Sequence, residues 1–230
     1  MPWRSLLTSP ATRPRRPPSN RGPMARTAPT DYEREAWERG LDRVAGVDEA
    51  GCGPLAGPVV AAAVVLRPGQ NLEGVYDSKA LSRKQREELA LVIRDRVLAF
   101  SVAAASTREI DRFNIRRATS LAMLRAIRRL PFEPALLLVD GRPVPELGEH
   151  TAIVKGDRLS LSIACASILS KTVRDRLMER LSSRYPAYGW DENKGYGTGR
   201  HLAAIREHGP TPHHRCTWGP IVQPELPLEV

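Results

Sequence analysis

The sequence predicts an α/β fold in which a mixed central sheet is flanked by helices and followed by a small C-terminal helical and loop extension. The chain has 230 residues, and 41% of them are hydrophobic, which is enough for one core of domain size. Strand-sized apolar runs occur at residues 43–47, 59–66, 98–104, 135–139 and 151–154. Three strands followed by helix–strand pairs indicate a single mixed sheet covered by helices.

The first part of the chain is expected to be a tail. Residues 1–30 contain seven prolines and six arginines but no acid, and they lack apolar periodicity. We therefore expect residues 1–40 to be disordered or poorly ordered, and residues 41–185 to form the main domain. The first two strands are joined by residues 51–58, a Gly- and Pro-rich segment called here the glycine turn.

The helices follow from capping residues and spacing. Ser82 is predicted to cap a helix that runs to residue 97, and a second helix is predicted over residues 107–130, before Pro131. The helix predicted over residues 161–184 opens with small side chains that would let its backbone approach the sheet closely. Residues 186–222 are expected to form the C-terminal extension, with a short helix at 201–208, and residues 223–230 a flexible tail.

The composition bounds the partners of the chain. Its net charge of +9 and pI of about 10.0 favour a polyanionic partner, although the first 30 residues carry most of that charge. No apolar run is long enough to span a bilayer, so we expect a soluble protein without a membrane partner. We also expect a monomer. The three cysteines are far apart, which is typical of a reducing compartment, so a cytoplasmic location is expected.

Acidic residues follow three of the predicted strands. Asp48 and Glu49 follow the first strand, Asp140 follows the fourth, and Asp157 lies just beyond the fifth. The ends of strands form the ligand-binding edge of an α/β sheet, and clustered carboxylates repel one another unless cations lie between them. Oxygen-only ligands select Mg²⁺ or Mn²⁺. Because adjacent residues of a strand face opposite sides, we expect the chain to leave the extended conformation after Asp48.

A series of motifs resembles the ribonuclease HII family, and the motifs occur in that family's order from about residue 44 to residue 222. The opening match is G-V-D-E-A-G-C-G-P-L-A-G-P-V-V at residues 46–60. The later matches are D-S-K-A-L-S (77–82), F-N-I (113–115), L-L-V-D-G (137–141), V-K-G-D (154–157), S-I-A-C-A-S-I-L-S-K-T-V-R-D (162–175), Y-P-A-Y-G-W (185–190), N-K-G-Y-G-T (193–198) and G-P-T-P-H-H-R (209–215).

The resemblance implies a ribonuclease H-like fold and specific residue roles. It implies metal binding by Asp48, Glu49 and Asp140, with Asp157 as the fourth catalytic acid, and Mg²⁺ or Mn²⁺ as cofactor. It further implies hydrolysis of the RNA strand of RNA–DNA hybrids, and incision on the 5′ side of ribonucleotides embedded in duplex DNA. Two-metal-ion catalysis would leave a 3′-hydroxyl and a 5′-phosphate.

Substrate contacts are implied for a second group of residues. In the family, the segment that matches Gly51, Cys52 and Gly53 contacts the ribose 2′-hydroxyl, and the tyrosine that matches Tyr196 packs on the neighbouring deoxyribose. Cys52 departs from the family pattern, which usually has arginine, so we expect weaker substrate affinity and a thiol that is open to oxidation. Four of the five lysines are candidate phosphate contacts, since an ammonium is a compact point charge: Lys79, Lys155, Lys171 and Lys194.

Two other functions remain open at this point. One is a type 3-like ribonuclease H that acts only on longer hybrids, which a duplex with one ribonucleotide would distinguish. The other is a non-catalytic module that binds RNA–DNA hybrids. In addition, residues 223–228 (Q-P-E-L-P-L) loosely resemble sliding-clamp-binding peptides, which leaves a weak clamp contact as a further hypothesis.

Overall fold

The fold is built on a five-stranded mixed sheet. The computed structural model describes residues 26–222, and the sheet order is β3-β2-β1-β4-β5. β1 pairs antiparallel with β2, and β2 with β3, whereas β1–β4 and β4–β5 are parallel. This confirms the predicted mixed sheet. The strands are β1 (Val44–Ala50), β2 (Val59–Val65), β3 (Ala99–Ala105), β4 (Leu136–Asp140) and β5 (Thr151–Ile153).

Helices cover both faces of this sheet. Ser82 caps its helix through a capping box, as predicted. The last three helices lie in the predicted C-terminal extension. The helices are α1 (Asp31–Glu38), α2 (Arg83–Arg96), α3 (Thr107–Arg128), α4 (Leu161–Arg184), α5 (Trp190–Asn193), α6 (Gly199–His208) and α7 (Gly219–Val222). Within residues 26–222, none of them has the length and apolar character needed to cross a bilayer.

Two hydrophobic cores lie on opposite faces of β2, and this strand is buried along its whole length. Alternate β2 residues such as Ala61 pack against α3 on one face, and the intervening residues such as Ala62 pack against α2 and α4 on the other. The small residues of α4 act as expected. A Cβ atom at Gly46 of β1 would lie only 2.2 Å from the backbone carbon of Ser162, so α4 lies directly against the strand.

The predicted tail requires a correction, because residues 31–38 form α1. Glu33 of this polar helix is completely buried, and its Oε1 accepts hydrogen bonds from the backbone N–H of Ser162 (2.8 Å) and from the hydroxyls of Ser160 and Ser162 (both 2.6 Å). A carboxylate at the N-terminus of α4 is favoured by the helix dipole. The stabilising contact is therefore tertiary, and local periodicity could not reveal it. Residues 1–25 and 223–230 lie outside the described part of the chain.

The second predicted helix also differs, because Asn114 interrupts α3. Its φ of 67° and ψ of 167° are not helical, and its Oδ1 accepts a hydrogen bond from the backbone N–H of Arg117 at 3.2 Å. Residues other than glycine rarely adopt a positive φ together with an extended ψ, so the backbone is strained here, while the Asn114 side chain caps the helical segment that follows. The interruption places Asn114 and Arg117 beside the candidate site described below.

Candidate active site

The strand-end carboxylates meet at one edge of the sheet. β1 and β4 are neighbouring parallel strands with Val47 opposite Val139, so Asp48 and Asp140 follow at the same edge. Asp48 is buried, and its burial together with the charges of Glu49 and Asp140 raises its pKa well above the usual range. The structure therefore brings these three predicted acids within electrostatic range of one another.

Asp48 and Glu49 both come close to Asp140 without the predicted break in the strand. β1 stays paired with β2 through Ala50, so the expectation of a departure from extended geometry is wrong. The hydroxyl of Ser167 on α4 faces the Asp48 carboxylate, whereas Glu49 lies 3.5 Å from the Cys52 sulfur, which in turn lies 3.4 Å from Thr119 on α3. The two acids thus lie on opposite faces, and both interact with Asp140.

Asp157 lies at the border of this group. It belongs to a short 3₁₀ turn, residues Gly156–Arg158, whose Gly156 N–H donates to Asp140 Oδ1 at 2.6 Å. Burial raises the pKa of Asp157, and the charges of Asp77 and Asp140 add to that effect. The fourth predicted acid is therefore an electrostatic neighbour of Asp140.

The chemistry of the donor set fits a hard divalent cation. The acids offer only carboxylate oxygens, and their mutual repulsion is of the kind that a cation relieves. Among residues 26–222, no three His, Cys, Asp or Glu side chains are placed closely enough to coordinate one ion. Two of the carboxylates instead accept backbone hydrogen bonds, Asp48 from Glu49 N–H at 2.7 Å and Asp140 from Gly156 N–H.

Two buried arginines, which the sequence analysis did not identify, hold the glycine turn. Arg215 donates to the carbonyls of Gly51, Cys52 and Gly57, the last two at 2.8 and 3.0 Å. Arg174 donates to the carbonyls of residues 56 and 58, each at 3.1 Å. In the sequence, these two arginines are distinguished only by their positions inside motifs that resemble the family. The turn's carbonyls thus point inward, and the N–H groups of residues 52 and 53 donate no hydrogen bond within the described chain.

Tyr196 lies directly beside the glycine turn. The carbonyl of Gly195 accepts hydrogen bonds from the N–H groups of Leu55 (2.8 Å) and Ala56 (3.3 Å), which join the two segments. A Cβ atom built on Gly53 would lie 3.6 Å from the Tyr196 ring, and Tyr196 is 47% exposed. The structure therefore places Gly53 and Tyr196 side by side on an accessible surface.

The four candidate lysines fall into two groups. Lys79 and Lys155 are exposed. Burial raises the pKa values of Glu49 and Asp157, and the charge of Lys79 partly opposes that rise. Lys171 instead pairs with Asp175 at 2.8 Å, and Lys194 pairs with Glu179 at 2.7 Å. The structure thus leaves the first two ammonium groups better placed for a phosphate, while the other two form ion pairs within the protein.

A cavity of about 730 Å³ adjoins the acids between α3 and the end of β4. Glu49 and Asp140 contribute to its wall, and Arg116, Arg117 and Arg142 add positive charge that the sequence analysis did not assign to the site. Their signal in the sequence was weak because arginine is the usual cation throughout this chain. Carboxylates beside a basic wall suit a polyanion whose backbone must approach bound cations.

The thiol of Cys52 is less reactive than we expected from its position. Its burial and the charge of Glu49 raise its pKa to about 12, so the thiol is protonated at neutral pH. The thiolate is the form that reacts with oxidants and electrophiles. The expected sensitivity to oxidation is therefore not supported by the structure.

Comparison with known proteins identifies the family and the fold. The family model described as Ribonuclease HII matches residues 45–220. The ribonuclease HII of Bordetella pertussis is 53% identical over 179 residues, which cover 77% of this chain and 89% of that protein. Ribonuclease H2 from Pyrococcus horikoshii OT3 has a TM-score of 0.68 at 29% identity, and the match covers 78% of this chain and 95% of that one.

A second solved structure is that of ribonuclease HII from Archaeoglobus fulgidus in complex with PCNA. Its TM-score is 0.64 at 28% identity, and the match covers 77% of this chain and 95% of that one. These likenesses confirm the ribonuclease H-like fold. With a family model that spans most of the described residues and a relative that is more than half identical, the chain belongs to the ribonuclease HII family.

Proposed function

We propose that this chain cleaves the RNA strand of RNA–DNA hybrids and also incises duplex DNA on the 5′ side of an embedded ribonucleotide. As a member of its family the chain is a ribonuclease H, an endoribonuclease. The finer proposal depends on one observation: the acids at the edge of β1 and β4 lie next to a glycine turn, and Tyr196 lies beside that turn. Such a site can bind a sugar at the turn and place its phosphate near the acids.

Asp48, Glu49 and Asp140 would hold two Mg²⁺ or Mn²⁺ ions, with Asp157 completing the acidic set. When bound, such ions lower the pKa of water and stabilise charge on the leaving oxygen. The protein residues orient the strand. Lys79, Lys155 and the arginines of the cavity wall would bind phosphates, and cleavage would leave a 3′-hydroxyl and a 5′-phosphate.

The glycine turn would distinguish ribose from deoxyribose. Because Arg174 and Arg215 bind its carbonyls, the N–H groups of Cys52 and Gly53 are available to a ligand. A 2′-hydroxyl can accept from such a group, and deoxyribose offers no equivalent oxygen. The exposed ring of Tyr196 would then pack on the apolar face of the following deoxyribose.

The test is cleavage of a duplex that carries one ribonucleotide, with mapped product ends and with Mg²⁺ or Mn²⁺. D48N and D140N should each lose at least about 100-fold in activity while retaining the fold, since metal sites supply several kcal/mol of transition-state stabilisation. D42N is the matched control, because Asp42 is an exposed acid that precedes the opposite end of β1. Full activity of D48N would contradict the metal-site assignment.

The same assay separates the alternative functions. Cleavage of a long hybrid without cleavage at a single ribonucleotide would favour the type 3-like activity. Binding of the hybrid without cleavage in either metal would favour a non-catalytic module.

The proposed clamp contact involves residues 223–228, outside the described part of the chain, and is motivated by the PCNA complex of the Archaeoglobus relative. Unchanged clamp binding after deletion of residues 223–230 would contradict it.

A further inference from the structure

Two histidines form a buried pair in the C-terminal extension. His201 of α6 and His214 are 0% and 1% exposed, and their Nε2 atoms lie 3.1 Å apart. The Nε1–H of Trp190 also donates to His201 Nε2, at 3.0 Å. Each nitrogen of a buried imidazole ring needs a hydrogen-bond partner. The identity of these partners therefore shows which nitrogens carry protons.

The protonation of both rings follows from their outer partners. His201 Nδ1 lies 2.8 Å from the carbonyl oxygen of Tyr196, which can only accept, so Nδ1 carries the proton. His214 Nδ1 accepts from the backbone N–H of Thr211 at 2.8 Å, so the proton of His214 is on Nε2 and is donated to His201 Nε2. Burial lowers the pKa of both rings, that of His214 to about 4, which keeps them neutral.

This histidine relay, defined as the chain Thr211–His214–His201–Tyr196, connects two segments of the candidate site. At one end, His214 forms an isolated β-bridge with Ala56 of the glycine turn. At the other end, the Tyr196 carbonyl accepts from His201 and from Thr198 N–H at 2.8 Å. The hydroxyl of Tyr196 has no hydrogen bond among the described residues, so the hydrogen bonds that hold this residue in place are those of its backbone.

We propose that His201 and His214 are positioning residues that set the spacing between the glycine turn and Tyr196, and so control selectivity for a ribonucleotide–deoxyribonucleotide junction. The inference rests on the proposed function, in which these two segments contact successive sugars. A selective site needs its contacts fixed to within about 0.5 Å, and the relay supplies a fixed chain of hydrogen bonds between them. A long hybrid offers 2′-hydroxyls at every position and depends less on that spacing.

The test compares two variants of His201 that keep different atoms. In H201N the amide NH₂ replaces the Nδ1–H donor to Tyr196, whereas H201Q places its amide near Nε2 and loses that donor. We measure kcat/KM for a duplex with one ribonucleotide and for a full RNA–DNA hybrid, and take their ratio. H201Q should lower this ratio at least about tenfold, and H201N by less than about threefold, where tenfold corresponds to about 1.4 kcal/mol.

Two controls show whether the effect passes through Tyr196. In a Y196A background, H201Q should no longer change the ratio, because coupled residues are not additive. H208Q makes the same replacement on α6 at an exposed histidine and should leave the ratio unchanged. A ratio within about twofold of wild type for H201Q, or an undiminished effect in Y196A, would overturn the proposal.

The outcomes also separate this inference from the proposed function. If the wild type cuts the hybrid but not a single ribonucleotide, the proposed function fails. If the wild type cuts both and Y196A lowers the ratio while H201Q does not, only the relay fails. Should H201Q not fold, H214N removes only the donor to His201. Ring ¹⁵N NMR of the wild type must also show the Nδ1–H form of His201 and the Nε2–H form of His214, and the opposite forms would refute the relay.

Discussion

Gly51 and Gly53 offer a matched pair for testing how the glycine turn is held. A Cβ atom at Gly51 would lie 2.0 Å from Nε of Arg174 and 2.9 Å from the carbonyl oxygen of Pro58, and the residue has a φ of +99°. At Gly53 the same atom would meet only the Tyr196 ring at 3.6 Å, an ordinary van der Waals contact. G51A should therefore destabilise the protein, whereas G53A should be tolerated.

The magnitude for G51A has two parts. A non-glycine residue at positive φ costs about 1 kcal/mol or more, and an overpacked buried site typically costs about 1–3 kcal/mol. Arg174 cannot move away freely, because its guanidinium is buried and donates to Ala56 and Pro58. We expect G51A to lower the free energy of unfolding by about 2–4 kcal/mol and G53A by less than about 1 kcal/mol.

Urea unfolding of both variants measures this difference, and thermal unfolding should show a lower Tm for G51A by about 4–15 °C in a domain of this size. The m-value has to remain unchanged for the comparison to hold. If G51A and G53A unfold within about 0.5 kcal/mol of each other, Arg174 does not confine the turn and the reasoning is refuted.

Two further predictions concern charge and thiol chemistry. Arg125 holds the pKa of Glu109 down to about 2, so the folded state binds this proton less readily than the unfolded state, and the ion pair contributes stability above about pH 4.5 that is lost as the pH falls towards 2. The wild type should be about 1 kcal/mol more stable than E109Q at pH 6, with a difference that vanishes near pH 2 in urea titrations; a constant difference would contradict the assignment. At pH 7.5 a thiol reagent should label exposed Cys216 first and leave Cys52 and buried Cys165 unreacted in the folded protein, and labelling of C216S at the wild-type rate would contradict this order.

The sequence predicted the parts of the fold that depend on local pattern. β2 is an apolar run because both of its faces are covered, and Ser82 begins α2 because its hydroxyl and the Gln85 side chain satisfy the free N–H groups there. The acids at the ends of β1 and β4 were identified by the same reasoning, since a carboxylate that follows a buried strand lies at the sheet edge. These features require only residues that are near one another in the chain.

The features that the sequence analysis did not predict depend on contacts between residues that are far apart in the chain. Glu33 looks like an ordinary solvated acid in a polar segment, until Ser160 and Ser162 meet it from more than 120 residues away. Arg174 and Arg215 look like two of many surface arginines, yet their guanidinium groups are buried against backbone carbonyls. No local pattern distinguishes such residues, because desolvation and its compensation are tertiary effects.

The glycine turn shows why the predicted boundary at residue 185 does not separate the site into independent parts. Its N–H groups at Leu55 and Gly57 donate to the carbonyls of Gly195 and His213, both in the C-terminal extension. Arg215, also in the extension, binds the turn's own carbonyls. The conformation that exposes the N–H groups of the turn therefore depends on residues 186–222, while the acids depend on the sheet. Under the proposed function, recognition of the sugar and hydrolysis of its phosphate would therefore depend on different parts of the chain, and these two parts are joined at the turn.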